Sequence, residues 1–185
     1  MINAEIKQVK EKMGKALEAL RREFASIRTG RANTALLDGI NVDYYGAHTP
    51  IAQMANITVP EPRLLVIVPW DKSAVGAIEK AILKSDLGLT PANDGKTIRL
   101  PIPQLTEERR KDLVKHVKKL AEDSRVTIRN IRRDANEHTK KKQKSGELPE
   151  DDAHRLVDEI QKVTDKHIEN VHELVEIKEA ELMEV

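Results

Sequence analysis

The chain has 185 residues, enough for one large domain or two small ones. Hydrophobic residues make up 39% of it and charged residues 34%, so it is too apolar for a disordered chain and should fold as a charge-rich protein. Since it contains no cysteine, disulfides, thiolate metal ligands and cysteine nucleophiles are excluded.

The net charge of +1 conceals an uneven distribution of charge. Residues 107–144 contain 14 basic and 7 acidic residues, whereas residues 145–185 contain 4 basic and 13 acidic residues. Such segregation predicts that a basic helix and an acidic helix lie in one bundle and leave a basic outer face. A face of that kind suits a polyanion.

Residues 2–29 predict the first amphipathic helix, which Gly30 ends. Its apolar positions recur at intervals of three and four residues: Ile6, Val9, Met13, Leu17, Leu20, Phe24 and Ile27. The N-terminus lacks the apolar segment of a signal peptide, and the longest apolar run, residues 64–70, is too short to span a bilayer. We therefore expect a cytoplasmic protein with no membrane partner.

Residues 31–105 differ in composition, because they hold seven of the eight prolines. Runs typical of strands occur at residues 40–45, 57–59, 64–68 and 97–100, and one helical stretch lies at residues 73–84. We expect an inserted α+β domain. Its attachments must lie close together if the flanking helices pack side by side, and they predict a hinge near residues 29–31 and 103–106. The hinge residues are Thr29, Gly30, Arg31, Pro103, Gln104 and Leu105.

Two further helical patterns follow the insert. The first has Thr106 as its N-cap and extends to about Lys144, and the second begins after Pro149. Together with the first helix they predict an elongated three-helix bundle formed by residues 1–30 and 106–185. The expected fold class is α+β with two domains.

The sequence shows no catalytic constellation. The GKT at residues 95–97 resembles the end of a phosphate-binding loop, but Thr90 stands where the loop needs a glycine, and a hairpin turn at residues 93–95 explains the motif better. The six histidines lack the spacing of a zinc site, and there is no nucleophile elbow. We expect no enzymatic activity, no metal, no cofactor and no small-molecule substrate.

The basic helix is the main functional candidate. At about 100° per residue, one stripe lies more than a right angle from the apolar seam of Ile128, Ile131 and Ala135. The stripe contains Arg125, Arg129, Arg132 and Asn136, and Arg133 flanks it. We expect Arg132 to be central on this outward stripe.

Two interpretations of these arginines remain open at this point. One is a solvated helix face held by local pairs such as Arg129 with Asp134 or Arg133 with Glu137. The other is an RNA-binding face, because the planar guanidinium suits bidentate phosphate contacts. Four lysines extend the positive charge toward the start of the helix: Lys111, Lys115, Lys118 and Lys119.

Five segments carry a resemblance to a known family: IRTGRAN (27–33), LLDGINVDYYG (36–46), SDLGLTP (85–91), LTEERRKDLVK (105–115) and RNIRRDAN (129–136). In this order and over nearly the whole chain, the sequence resembles the bacterial ribosome recycling factor family. The resemblance implies an L-shaped protein in which a long three-helix bundle and a small inserted β/α/β domain are joined by a hinge.

The resemblance also implies a function. Members bind the post-termination ribosome, with the bundle against large-subunit ribosomal RNA, and split the subunits together with elongation factor G and GTP. They have no enzymatic activity of their own, and we expect a monomer. The implied RNA-contacting arginines are Arg129, Arg132 and Arg133 in one motif and Arg28 and Arg31 in another, with Arg125 added from the stripe.

A second class of function stays open on the residues alone. A long amphipathic bundle can serve as a protein-interaction adaptor without RNA binding, with the acidic third helix as its docking face. Binding to large subunits that ignores salt and survives Arg132→Ala would favour this adaptor.

Overall fold

The structure, a computed structural model, describes residues 2–184. It contains four α-helices: α1 (Ile2–Ala25), α2 (Val75–Lys84), α3 (Glu107–Lys144) and α4 (Glu150–Met183). It contains six β-strands: β1 (Asn41–Tyr44), β2 (Ala47–Pro50), β3 (Ala55–Glu61), β4 (Leu64–Pro69), β5 (Ala92–Asn93) and β6 (Ile98–Pro101). The α+β class is confirmed.

The described residues form two compact units. Residues 2–24 and 111–184 form one, and residues 25–110 form the other. These divisions lie at residues 24/25 and 110/111, whereas the sequence predicts 30/31 and 105/106. The last residue of α1 and the first turn of α3 are therefore grouped with the inserted unit.

The first unit is a bundle of α1, α3 and α4. Its core is aliphatic, with fully buried side chains contributed by every helix, such as Met13 of α1, Ile128 of α3 and Leu156 of α4. Burial of each such side chain contributes about 1.5–3 kcal/mol. An ion pair between Lys142 and Glu5 links the end of α3 to the beginning of α1.

Helix boundaries follow local signals. The predicted N-cap is confirmed, since the Thr106 hydroxyl accepts a hydrogen bond from the Arg109 N–H at 3.1 Å. Helix α3 ends before Gly146, whose φ of +79° is the left-handed conformation that glycine adopts without strain. Helix α1 was predicted to reach residue 29 but ends at Ala25. The Arg28 side chain bonds within the second unit, so the chain after Ala25 already belongs to that unit.

The second unit contains two antiparallel sheets. Strands β1 and β2 form a hairpin, and the other four have the order β3-β4-β6-β5. The inner face of the larger sheet buries Leu65, Ile67, Ile98 and Leu100 in one core with Ile78 of α2. The sequence missed β2, which lacks apolar alternation and is largely exposed, and β5, which has only two residues.

The hairpin turn predicted at residues 93–95 is confirmed. Gly95 has a φ of +89°, and the Asp94 N–H donates to the Thr97 carbonyl at 3.2 Å. The Asp94 carboxylate accepts from the N–H groups of Lys96 and Thr97, which lowers its pKa because these bonds favour the charged form. The GKT sequence is therefore part of a turn between two strands.

A hydrogen-bond cluster holds β1 to the loop before α2. The Tyr44 hydroxyl donates to Asp71 Oδ2 at 2.6 Å, and Ser73 donates to Asp71 Oδ1 from its backbone N–H at 2.9 Å and from its hydroxyl at 2.7 Å. These bonds hold the pKa of Asp71 below its usual value, the Tyr44 bond most strongly. The bond to Asp71 in turn raises the pKa of Tyr44 to about 12.

Replacing Tyr44 with phenylalanine should raise the pKa of Asp71 toward its ordinary value, because the variant loses the hydrogen bond that lowers this pKa most. A carboxyl whose pKa is lowered by folding stabilises the protein above its unfolded pKa, and this contribution disappears as the pH falls through the folded pKa. The stability difference between wild type and Tyr44→Phe should therefore shrink in acid. NMR titration of the Asp71 carboxyl carbon and urea unfolding across pH measure both effects.

The matched control for this substitution is Tyr45→Phe. The Tyr45 side chain is 82% exposed and packs its ring edge-to-face on Tyr44 without bonding Asp71. An Asp71 pKa that moves equally in both variants would contradict the role given to the Tyr44 hydroxyl.

Candidate nucleic-acid interface

Two arginines of the candidate motif, Arg129 and Arg133, point into solvent from α3. The Nη1 atom of Arg129 lies 3.7 Å from a carboxylate oxygen of Glu122, with both side chains about half exposed. Within residues 2–184, Arg133 forms no ion pair. An exposed pair of this kind contributes about 0–1 kcal/mol, so both guanidinium groups remain available to a phosphate.

The predicted outward stripe needs correction. Arg125, Arg132 and Asn136 are partly buried, and only Arg129 of the four is exposed. Helix α3 packs against two helices, so its buried arc is wider than the single seam on which the prediction was based. Arg132 lies on the flank beside α4, with its Nη1 atom 3.4 Å from Gln161 Oε1, and is not central on the outer face.

The local pairs considered in the sequence are also wrong. The structure shows neither Arg129 with Asp134 nor Arg133 with Glu137 as an ion pair in the described chain. Glu122 instead lies one turn before Arg125 and two turns before Arg129, and its carboxylate faces them at 3.2 Å and 3.7 Å. The spacing in the sequence is compatible with the Glu122–Arg125 pair, because residues three positions apart lie on the same face of a helix.

Exposed lysines extend the basic surface along α3. Lys111, Lys115, Lys118 and Lys119 are all exposed, as predicted from the sequence. Lys118 lies 3.9 Å from Glu179 of α4, which shows that the basic and acidic helices are neighbours in one bundle. On α4, carboxylates pair locally with the few basic residues, for example Glu159 with Lys162 at 3.2 Å.

The arginines of the second motif belong to the other unit. Arg28 is half-buried, and its Nη1 atom donates to the carbonyl oxygen of Leu87. Arg31 is exposed. The Arg28 bond gives that residue a structural task that the sequence did not reveal, since its partner is 59 positions away.

Substituting Arg28 with methionine should lower the free energy of unfolding by about 1.5–3 kcal/mol, because the variant keeps an unbranched apolar side chain but removes a charged hydrogen-bond donor from a carbonyl. Urea unfolding followed by circular dichroism measures the change. Arg63→Met is the matched control, at an exposed arginine of the same unit. Equal, small effects in both variants would contradict the structural task assigned to Arg28.

The inserted domain is attached to the bundle through two segments, near residues 29–31 and 103–106. These segments lie side by side at Gly30 and Leu105. A Cβ atom added there would lie 3.3 Å from the Leu105 side chain and 3.5 Å from its backbone nitrogen, and Gly30 has a φ of +78°. Two backbone hydrogen bonds then hold the segments to the turn between β3 and β4: Ala32 N–H to the Pro62 carbonyl at 2.7 Å and Ile102 N–H to the Arg63 carbonyl at 2.8 Å. The structure thus brings the predicted hinge residues Gly30 and Leu105 together.

Across residues 2–184, no three histidine or acidic side chains converge as metal ligands. Among the described helices, none contains an apolar stretch that could span a bilayer.

Comparison with known proteins agrees with this architecture. A family model described as "Ribosome recycling factor" matches residues 20–183. The ribosome-recycling factor of Heliobacterium modesticaldum is 60% identical over 185 residues, covering 100% of both chains. That of Halalkalibacterium halodurans is 59% identical over 180 residues, covering 97% of each chain.

Solved structures give the same result. The solution structure of a ribosome recycling factor has a TM-score of 0.82 at 43% identity and covers 100% of this chain and 98% of the other. A second match, with a TM-score of 0.69 at 49% identity and full coverage of both chains, is described as models for the T. thermophilus ribosome recycling factor and the E. coli elongation factor G bound to the E. coli post-termination complex.

These matches show the class of protein: the chain is a translation factor of the kind that works on the ribosome. Within that class, it belongs to the ribosome recycling factor family.

Proposed function

We propose that this chain disassembles the post-termination ribosome together with elongation factor G and GTP, releasing the subunits, mRNA and tRNA. The bundle anchors the factor on ribosomal RNA of the large subunit, and the inserted unit swings about the hinge when the motor protein pushes it. The observation that carries the proposal is the exposed basic surface of α3, in a chain that matches the family over residues 20–183.

The proposed RNA-contacting arginines differ in how far their side chains are exposed, and we assign their contributions accordingly. Arg129 and Arg133 make the primary phosphate contacts, and Arg125 and Arg132 contribute from the partly buried flank. Arg31 of the inserted unit is exposed and adds a further contact. Arg28 bonds to Leu87, so its contribution to RNA binding is indirect.

The decisive test uses purified ribosomes. Post-termination complexes should be split by the chain only when elongation factor G and GTP are both present, as measured by light scattering and by release of labelled mRNA. Co-sedimentation with large subunits over a salt series should give a slope in log K against log salt between roughly −2, for the two primary phosphate contacts alone, and roughly −4 to −5, for all five arginines. A chain that binds without salt dependence and leaves the complexes intact would overturn the proposal.

A further inference from the structure

A groove in the second unit, between β1 and α2, has no role in the function proposed above. Its volume is about 780 Å³, within the range of roughly 300–1,000 Å³ typical of ligand clefts. Asn41 and Asp43 line it on β1, and Ala77 and Ala81 line it on α2. The two alanines lie one helical turn apart, and their small side chains leave room beside the strand.

The geometry of the β1–β2 hairpin shows which backbone groups of β1 are unpaired. The two-residue turn at Tyr45 and Gly46 has positive φ at both positions and closes the pair Tyr44–Ala47. In an antiparallel ladder, hydrogen-bonded and non-hydrogen-bonded pairs alternate. The pairs Asp43–His48 and Asn41–Pro50 are therefore of the non-bonded kind, and Pro50 has no N–H to donate.

It follows that the N–H and C=O groups of Asn41 and Asp43 point away from β2. Within residues 2–184 these groups have no backbone hydrogen-bond partner on that side. An unpaired strand edge is a template for an added strand. When such an edge borders a groove against a helix, an extended peptide can pair with the strand and place alternate side chains in the groove.

The charged residues that line the groove determine which side-chain charges an added strand should carry. Lys80 and Lys84 lie on α2 and form no ion pair within the described chain. Four helical residues span about 6 Å, and every second residue of a strand recurs at about 6.6–6.8 Å. Two acidic side chains at alternate positions of a strand would therefore match the two lysines.

The rest of the lining excludes a uniformly acidic strand. Three carboxylates, those of Asp38, Asp43 and Asp86, also border the groove, together with His48. Side chains of an added strand alternate between the two faces of the sheet. The residue between the two acidic positions would lie on the same face as Asp43, opposite which a basic side chain is favourable.

We propose that this groove is a docking site for an extended segment of a partner protein, which adds a third strand to β1 and carries the charge pattern acidic–basic–acidic. The acidic side chains face Lys80 and Lys84, and the basic one faces Asp43. The proposal is independent of RNA binding by α3.

The test uses the full chain and the capped peptide Val-Thr-Glu-Lys-Glu-Thr-Val, with fluorescence anisotropy for affinity and amide NMR for location. The peptide should bind and slow hydrogen exchange at the amides of Asn41 and Asp43. Lys80→Glu with Lys84→Glu should weaken binding about tenfold or more, since two attractive contacts become repulsive. The peptide Val-Thr-Lys-Lys-Lys-Thr-Val should bind this variant better than wild type. Lys96→Glu, at an exposed lysine of the same unit outside the groove, should change affinity less than about twofold.

A second variant tests the backbone contact. Asn41→Pro removes an N–H that faces the groove at the first residue of β1, where proline is tolerated. It should weaken peptide binding about tenfold, whereas Asn41→Ala keeps the N–H and should bind almost as wild type does.

Three results would overturn the proposal: no binding at millimolar peptide, equal binding of Val-Thr-Ser-Ser-Ser-Thr-Val, or binding that Asn41→Pro leaves unchanged. A fourth would reassign the groove to a second copy of the chain. That result is a dimer in sedimentation equilibrium that Asn41→Pro dissociates.

Discussion

Replacing two exposed arginines of α3, with Arg129→Glu and Arg133→Glu together, should weaken binding to the large ribosomal subunit by at least about 100-fold. Each lost guanidinium–phosphate bond costs about 1.5–3 kcal/mol, and about 2.7 kcal/mol corresponds to two powers of ten in affinity. The salt slope should also become shallower by about two. Co-sedimentation at several salt concentrations measures both effects.

The matched control is Arg155→Glu with Lys166→Glu on α4, where both residues are exposed in the same bundle. This variant carries the same change in net charge, so it separates a local contact from a general effect of charge. Both variants should keep the helical content and the unfolding temperature of the wild type, because none of the four side chains is buried. Equal losses of affinity in the two variants would show that α3 is not the contact surface.

Substituting Gly30 with valine should leave binding to the large subunit within about threefold of wild type but lower the rate of recycling about tenfold or more. A β-branched residue at a φ of +78° costs about 1–3 kcal/mol, and its Cβ would also press on Leu105 at 3.3 Å. The connecting segment must therefore leave this conformation, which would disturb the proposed hinge. Recycling is followed by light scattering with elongation factor G and GTP.

Gly76→Val is the control for this substitution. Gly76 lies in α2, has no positive φ, and nothing would lie within 4 Å of an added Cβ. This variant should fold and recycle nearly as wild type does. Normal recycling by Gly30→Val would contradict the role of the connecting segments as a hinge.

The helices were predictable because their signals are local. Periodic apolar residues, the Thr106 cap and the break at Gly146 define α3 and α4 within a few residues of their observed ends. The strands β2 and β5 were not predictable, since the first is polar and exposed and the second has two residues. Their places in the sheets depend on pairing with neighbouring strands.

The candidate site was predicted in part. The outward placement of Arg129 and Arg133 followed from periodicity, and the extension of the basic surface by the four lysines followed from the distribution of charge. The flanking position of Arg132 was missed although the helical wheel contains it, since at about 100° per residue Arg132 lies about 40° from Ile128 and about 60° from Arg129. The unpaired edge of β1 was invisible in the sequence, since it depends on the register of a hairpin that the sequence did not predict.

The sequence by itself determined the fold class, the family and the segregation of basic and acidic charge between two helices, because periodicity, motifs and composition are properties of neighbouring residues. Only the tertiary structure decided that Arg125 is partly buried, that Glu122 and not Asp134 forms the ion pair with Arg129, and that Arg28 bonds to Leu87. Those facts depend on contacts between residues far apart in the chain, or on which arc of a helix its neighbours cover.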